Sequence, residues 1–465
     1  MVYFKKIFLN LKGLFIFPKS FADNKTVLKY AVSLFLIWRL ALLFIAFLGL
    51  SVFPNLDFYN KKLFFPHIGL NFWDRWANWD SGAFMYIAKN GYVPGWTVFF
   101  PLYSIFIKFV TLFGLNTFWA GFLISQVSTI IFLFYLYKIT ILDFDTKVAK
   151  RTLFAILIFP TSFYLGSVYS ESLFLATSIS ACYYARKEKW LLASLLAALA
   201  SSTRLVGLGV ILVIFIEYFT KQPKINLGFL WHNRFNRVSI YLILIIIVLD
   251  ITNNSIKTNN LLISGVIVSV IELTAWILIL VGLLILSQFI KSMKSININK
   301  ILSINFGYLY LSLLPFAAYL LYQKFRFGSY LTFIKSESWW GRTLSEPWIG
   351  PLYSFLYLIS NSPTTTEFTA HIYVRSLVFI ISLVCLIICC YKLRPSYIAF
   401  YLIAFLFPLF SGTLADFPRY SLIIFPMFII FGTIKNELIQ KMSILFSILL
   451  LSVLTILYFN SYFFI

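Results

Sequence analysis

The sequence predicts an all-α fold, a polytopic transmembrane helical bundle of about 13 spans (about 11–15), with a long first outside loop carrying interfacial helices. Three observations predict it. First, 61% of the residues are hydrophobic and only 12% are charged, with a mean hydropathy of +0.89, whereas a soluble domain carries roughly 25% charged residues. Second, many windows reach about 18 apolar positions, the length that crosses a hydrocarbon layer as a helix. Third, the alternating segments of about ten residues that a membrane β-barrel requires are missing.

In chain order, the basic N-terminal stretch sets Lys5, Lys6, Lys12 and Lys19 beside Phe and Leu without a small-residue cleavage site. It reads as an interfacial helix, not a cleaved signal peptide. The first span covers about Val32–Val52, and Lys25 and Lys29 ahead of it put the N-terminus in the cytoplasm. Residues 54–97 then form the first outside loop. "WTVFFPLYSIFIKFVTLFG" follows as a short apolar helix interrupted by Pro101 and Lys108, and Phe118–Leu136 returns to the cytoplasm.

Basic loops recur at Lys138–Arg151, Arg186–Lys189, Lys221–Arg237, Lys291–Lys300, Lys392–Arg394 and Lys435–Lys441, and the hairpins between them are the outside ones. Residues 323–371 form a second long outside loop. No fixed-period repeat, linker or appended soluble domain interrupts the chain, so residues 1–465 read as one integral membrane domain. The matching halves of an inverted-repeat transporter are not seen.

The net charge of +22 sits mostly in those short loops. It reads as a topology signal touching anionic membrane lipid, with no nucleic-acid partner. Cys182, Cys385, Cys389 and Cys390 lie in apolar spans without disulfide or metal spacing and read as small core residues. His67, His232 and His371 are scattered. There is no phosphate-binding GxxxxGK[ST] loop. Asp143 and Asp145 spell "DFD", but on the basic cytoplasmic side. No cofactor and no metal are therefore expected, and the energy for any reaction must arrive with an activated lipid substrate.

With 16 acidic residues in 465, the placement of each carboxylate matters, because ionisable groups in or near a membrane are costly and usually paired or functional. "WANWDSGAFMYIAKNGY" reads as a short helix with Asp80 at its N-cap, Gly91 past its end, and Ala83, Phe84, Ile87 and Ala88 as an apolar stripe. Asp80 is then either a cap or a general base, with Asp74 the runner-up base and Lys89 a neighbouring cation. Glu171 opens the next span, as a favourable charge at a helix N-terminus or as a site residue. Arg204 interrupts an apolar run, either paired with Glu171 or free to bind a phosphate. Asp416 and Arg419 form a local ion pair, or Arg419 contacts a phosphate. Trp339, Trp340 and Arg342 mark an aromatic belt or a stacking and charge site for a sugar phosphate.

"WDSGAFMYIAKNGY" followed by "FFPLY" resembles the first luminal loop of the PIG-V family, the second mannosyltransferase of GPI-anchor biosynthesis, with its bacterial relatives. "SVYSESLFLATSISACYYARKEKWLLASLLAALASSTRLVG", "FGSYLTFIKSESWWGR" and "DFPRYSLIIFPMF" resemble later blocks of that family in order, spanning Trp79 to Phe428. The chain departs from the family pattern at Asn78, Leu205 and Ser104. The resemblance implies a metal-independent glycosyltransferase of the GT-C type, a hexosyltransferase using polyprenyl (or dolichyl) phosphate-mannose as donor and a glycolipid or glycan as acceptor. It maps the family's aspartate, glutamate and arginine onto Asp80, as the base, Glu171 and Arg204, and Lys89, Arg342 and Arg419 join Glu171 and Arg204 as candidate substrate- or phosphate-binding residues on the extracytoplasmic face. Richness in Phe, Ile, Asn and Lys favours a bacterial plasma membrane over the endoplasmic reticulum. The competing class is a polytopic transporter or lipid flippase, and a structural subunit of a larger assembly is the third.

Overall fold

The computed structural model describes residues 23–53, 71–221, 304–345, 347, 349–359 and 366–462. Every regular element among them is helical. The first half holds α1 (Asn24–Val52), α2 (Ser81–Asn90), α3 (Pro101–Thr111), α4 (Thr117–Thr140), α5 (Thr146–Leu157), α6 (Glu171–Arg186), α7 (Trp190–Thr203) and α8 (Gly207–Thr220). The second half holds α9 (Ile304–Leu311), α10 (Leu314–Phe327), α11 (Thr332–Ser336), α12 (Ile349–Ile359), α13 (Thr366–Lys392), α14 (Pro395–Leu409), α15 (Phe417–Leu422), α16 (Phe425–Gly432) and α17 (Glu437–Phe459). Four are long and apolar enough to cross a membrane: α1, α4, α13 from His371 onward, and α17. α3, α7, α8 and α14 are shorter apolar helices. This fits a membrane-embedded helical protein. The expected N-terminal interfacial helix, most of the chain before Asn71, and the loops Lys221–Arg237 and Lys291–Lys300 lie wholly or largely outside the described residues.

Three boundaries differ from the sequence reading. α1 begins at Asn24, not near Val32, because its first turns are amphipathic: Val27 and Ala31 are buried while Lys25 and Lys29 face outward. Pro101 does not interrupt a helix but starts α3, since the first helical position needs no N–H donor and the proline ring fixes the required φ. Lys108 falls in the last turn of α3, where a cation favours the helix dipole. Residues 323–371, expected as a loop, contain α11, α12 and the start of α13.

The helices pack in series, α4 on α6, α6 on α7, α7 on α8 and α8 on α14, while α17 lies along α1. Small residues allow this, since without a hydrophobic driving force in lipid, close backbone approach supplies the packing. Ala176, Ser180, Ala193, Ala197 and Ala200 are all buried in α6 and α7. Every residue of α6 from Glu171 to Cys182 is buried, and the four cysteines are free and buried as the sequence suggests.

α6 spans about 22 Å between Glu171 and Arg186 at 1.5 Å per residue. The Arg186 end gathers the basic loops that lie among the described residues. Arg186 Nη1 and Nη2 bond Asp143 at 2.7 and 2.8 Å, Lys221 pairs with Glu188 at 2.9 Å, and Arg394 pairs with Glu217 at 3.1 Å. Arg151 donates to the Ile434 carbonyl at 3.0 Å, and Lys138 donates to Asn24 at 2.8 Å. Asp143 is thus an ion-pair partner, and Asp145 caps α5 through Val148 N at 2.8 Å. The Glu171 end gathers Asp80, Arg204, Arg342, Asp416 and Arg419. Among the described residues, the two sets of loops that alternate along the chain therefore lie at opposite ends of the bundle.

This separation is tested by cysteine labelling in sealed vesicles. An Asn90→Cys variant and a Lys147→Cys variant, both at exposed positions, are expected to react with an impermeant thiol reagent from opposite sides. The buried native cysteines keep the background low. Labelling of both from one side would contradict the arrangement.

Candidate active site

The site is built on a stretch of irregular backbone. Residues 158–170, between α5 and α6, are all buried. Carbonyls in an apolar interior must find donors, and polar side chains of α4 supply them. Gln126 donates to the Gly166 carbonyl at 2.9 Å, Thr129 to that of Leu165 at 2.9 Å, and Ser125 to that of Tyr169 at 3.2 Å. The segment is thereby fixed, and α6 begins at Glu171 with its side chain at 0% exposure.

Asp80 is aimed by the turn before it. Trp79 takes φ 55, a left-handed conformation rarely adopted by a bulky residue. Asn78 beside it is pinned on three sides: its Nδ2 donates to the Tyr458 carbonyl at 2.8 Å, its N–H to the Tyr458 hydroxyl at 3.3 Å, and its carbonyl accepts from Tyr169 at 2.9 Å. Arg75 donates to Ser461 at 2.9 Å, and the Arg39 guanidinium lies 3.5 Å over the Trp76 ring. α2 then starts with Ser81 N and Gly82 N bonded to the carbonyls of Asn78 and Trp79, at 3.3 and 3.0 Å.

The backbone does the capping. Asp80 stands at the N-cap position as the sequence suggests, but its side chain makes no cap hydrogen bond. Its Oδ2 instead accepts from Arg419 Nη1 at 2.6 Å. Oδ1 has no hydrogen-bond partner among the described residues. The rest of the helix follows the sequence: Ala83, Phe84, Ile87 and Ala88 are buried, and Gly91 ends α2 at φ 84.

Arg204 ends α7 in an extended conformation. Gly207 makes the turn into α8 possible, because a Cβ there would come within 2.4–2.5 Å of the backbone of Ser201 and Ala200. Arg204 Nη1 reaches Glu171 at 2.7 Å and Ser170 at 3.1 Å. Arg419 Nε reaches the same Glu171 oxygen at 3.2 Å. Asp416, also left-handed at φ 61, pairs with Arg342 Nη2. The expected local Asp416–Arg419 bridge is thus replaced by longer-range partners, because the left-handed turn and Pro418 direct the two side chains to different neighbours. Arg342 also donates to the Tyr420 hydroxyl at 3.1 Å and pairs with Glu337 at 3.6 Å.

Burial alone would raise the Asp416 carboxyl, but Arg419, Arg342, Arg375 and Arg204 together hold it below its ordinary value. Burial pushes the Glu337 carboxyl up, against Arg342.

These groups line one cavity of about 480 Å³, within the roughly 300–1,000 Å³ common for ligand sites. Asp80, Glu171, Glu337 and Asp416 share it with Arg204, Arg342, Arg419 and Tyr420, and Trp79, Phe99, Phe100, Phe333, Trp340 and Phe407 are among its aromatic wall. Of the predicted residues, Asp80, Glu171, Arg204, Arg342 and Arg419 are brought together. Lys89 and Asp74 are not. Lys89 is exposed at the far end of α2, about 14 Å along the axis from Asp80, and Asp74 accepts from Asn71 N at 3.3 Å in the 3-10 turn Asp74–Ala77, off the cavity wall. Among the described residues, no three His, Cys, Asp or Glu side chains are grouped to hold a metal ion.

Sequence reasoning missed Asn78, Tyr420, Tyr458 and Arg375. Arg375 sits inside the apolar run of α13, and the "DFPRY" motif holds Tyr420 directly after Arg419. An arginine within an apolar span is a signal of the kind that singled out Arg204. Nothing in the sequence pairs Asn78 with Tyr458.

The Asp416 network has a pH signature. A carboxyl held low in the folded state adds stability above its unfolded value of about 3.9, and loses it as pH falls through the folded value. Asp416→Asn is expected to lower the melting temperature in detergent at neutral pH, with the gap from wild type narrowing as pH drops below about 4. A gap constant across that range would mean the charge does not stabilise the fold.

Comparisons with protein-family models, curated proteins and solved structures return no match for this chain. What bears on its function is the geometry of this cavity and the motifs of the sequence.

Proposed function

We propose that the chain is a membrane glycosyltransferase that moves a sugar, mannose by the resemblance of its sequence blocks, from a polyprenyl phosphate-sugar to an extracytoplasmic acceptor with inversion. The observation that carries the reading is the convergence of Asp80 and three arginines on one cavity with an aromatic wall. Asp80 is held through Oδ2 by Arg419 while Oδ1 is left to take a proton.

In the proposed step, an acceptor hydroxyl oxygen attacks the anomeric carbon from the face opposite the phosphate. The new glycosidic C–O bond forms as the bond from the anomeric carbon to the phosphate oxygen breaks. The hydroxyl proton goes to Asp80, and the bonding pair leaves with the polyprenyl phosphate. One positioned base contributes about 10²–10⁴-fold. Arginine N–H groups aimed at the leaving phosphate stabilise the charge that develops there. Arg204 donates Nη1 to Ser170 and Arg419 donates Nη1 to Asp80, while Glu171 lies within ion-pair distance of Arg204 Nη1 and Arg419 Nε without accepting a hydrogen bond among the described residues. The remaining N–H groups of these two fork-shaped donors are the ones available to a phosphate. Glu171 keeps both cations in place. The apolar helices around the cavity suit a prenyl tail.

The decisive assay is transfer of labelled mannose from polyprenyl phosphate-mannose by purified protein without ATP or an ion gradient, conditions under which a transporter or flippase yields no glycoside. In it, Asp80→Asn is expected to lower turnover at least about 10²-fold, since an amide cannot take the proton, while Asp74→Asn stays near wild type. The melting temperature of each variant separates lost chemistry from lost folding. Activity lost only in Asp74→Asn would mean the other carboxylate is the base, and full activity in both would leave Glu171.

Metal dependence is measured in the same assay. Chelation with EDTA is expected to leave turnover within about twofold. Loss restored by Mn²⁺ or Mg²⁺ would mean that a cation holds the phosphate.

A further inference from the structure

All three arginines of the cavity share one neighbour. The Cζ atoms of Arg419, Arg204 and Arg342 lie 5.2, 5.4 and 5.9 Å from the centroid of the Tyr420 ring, each within the roughly 6 Å over which a cation is attracted to an aromatic face. The Tyr420 hydroxyl also accepts from Arg342 Nη1 at 3.1 Å. No carboxylate bonds all three. Glu171 bridges Arg204 and Arg419, Asp80 holds Arg419, and Asp416 and Glu337 hold Arg342.

Asp416 acts electrostatically on all three, but among the described residues the direct ion pairs fall in separate groups and leave Arg342 without a direct ion-pair link to the other two. Arg342 arrives from the turn after the 3-10 helix Glu337–Trp340, Arg204 from the end of α7, and Arg419 from α15. Three cations on three segments repel one another, and an aromatic ring within reach of all three offsets part of that repulsion. Tyr420 itself lines the cavity.

We propose that Tyr420 is a positioning residue whose ring holds Arg204, Arg342 and Arg419 at the spacing that receives the phosphate of a lipid-phosphate donor. The proposal rests on the glycosyltransferase reading of the cavity. It assigns the effect to the ring and not to the hydroxyl. It also assigns it to capture of the phosphate, not to removal of the acceptor proton, so it appears in donor affinity and KM before it appears in kcat.

The test uses full-length protein in lipid nanodiscs, with undecaprenyl phosphate as the binding probe and polyprenyl phosphate-mannose as donor. Binding is followed by the fluorescence of Trp79 and Trp340, which line the cavity. Tyr420→Phe keeps the ring, and is expected to bind the probe within about threefold of wild type. Tyr420→Leu and Tyr420→Met remove the ring while keeping apolar bulk. Both are expected to weaken the probe and raise the donor KM at least about tenfold, with kcat changed by less than about threefold.

Probe affinity within twofold of wild type in the leucine or methionine variant overturns the proposal. So does a phenylalanine variant as impaired as those two, or a loss confined to kcat. Failure of both ringless variants to fold assigns Tyr420 to packing and overturns it as well. A wild-type protein that binds the probe but transfers no sugar sinks the glycosyltransferase reading, and leaves the Tyr420 dependence of binding to decide this proposal separately.

Discussion

The arrangement of the cavity turns on one carboxylate. Glu171 is at 0% exposure, at the start of a helix that is buried along most of its length. A buried charge without partners costs several kcal/mol, so the fold must bring cations to it. It brings two, from separate parts of the sequence: Arg204 at the α7–α8 break and Arg419 in α15. Each cation then requires its own surroundings. Arg419 takes Asp80, and Arg342 is recruited beside it by Asp416 and Tyr420. The network grows outward from a single desolvated group, and loops that are remote in sequence meet where it does.

Holding those loops in place has a conformational cost. Trp79 and Asp416 are both non-glycine residues with positive φ, each costing about 1–3 kcal/mol. Both flank the charge network. At Trp79 the strained turn lets the backbone carbonyls of Asn78 and Trp79 cap α2, and so releases the Asp80 carboxylate from the role its sequence position favours. The strain is offset by the buried bonds from Asn78 to Tyr458 and Tyr169 and by the packing of Trp76 under Arg39. An aspartate that capped its helix would face its own N–H groups. This one faces an arginine and a cavity.

Much of this was legible in the sequence, and the rest was not for a physical reason. Apolar length gave the helical class, and the basic loops gave the grouping of the helix ends, because both depend on composition over many residues. Asp80, Glu171, Arg204, Arg342 and Arg419 stood out as charges in a chain that has few acidic groups. Their roles in local structure were harder. Periodicity correctly set the buried stripe and both ends of α2, but capping propensity could not show that the Asp80 side chain makes no cap bond, since the competing partner, Arg419, lies 339 positions away. The same holds for the Asp416–Arg419 bridge, where nearness in sequence suggested a pair and backbone conformation chose others. Lys89 and Asp74 were grouped with the site by proximity in sequence, which a ten-residue helix and a 3-10 turn undo.

Charge pairing alone does not mark a site, as the other end of α6 demonstrates. There Asp143, Arg186, Glu217 and Arg394 form an equally dense cluster. Arg186 grips both oxygens of Asp143 and bonds Tyr397, while Arg394 grips both oxygens of Glu217, which also accepts from Ser396. Charges and donors there are closely matched, and such a cluster locks helix ends together. At the Glu171 end the matching is incomplete. Among the described residues, Oδ1 of Asp80 is unbonded and Arg204 and Arg419 each retain N–H groups, strained backbone lies on both sides, and a cavity opens between them. Buried polar networks that are fully satisfied rigidify a fold. One left partly unsatisfied around an open volume has bonding capacity for a ligand.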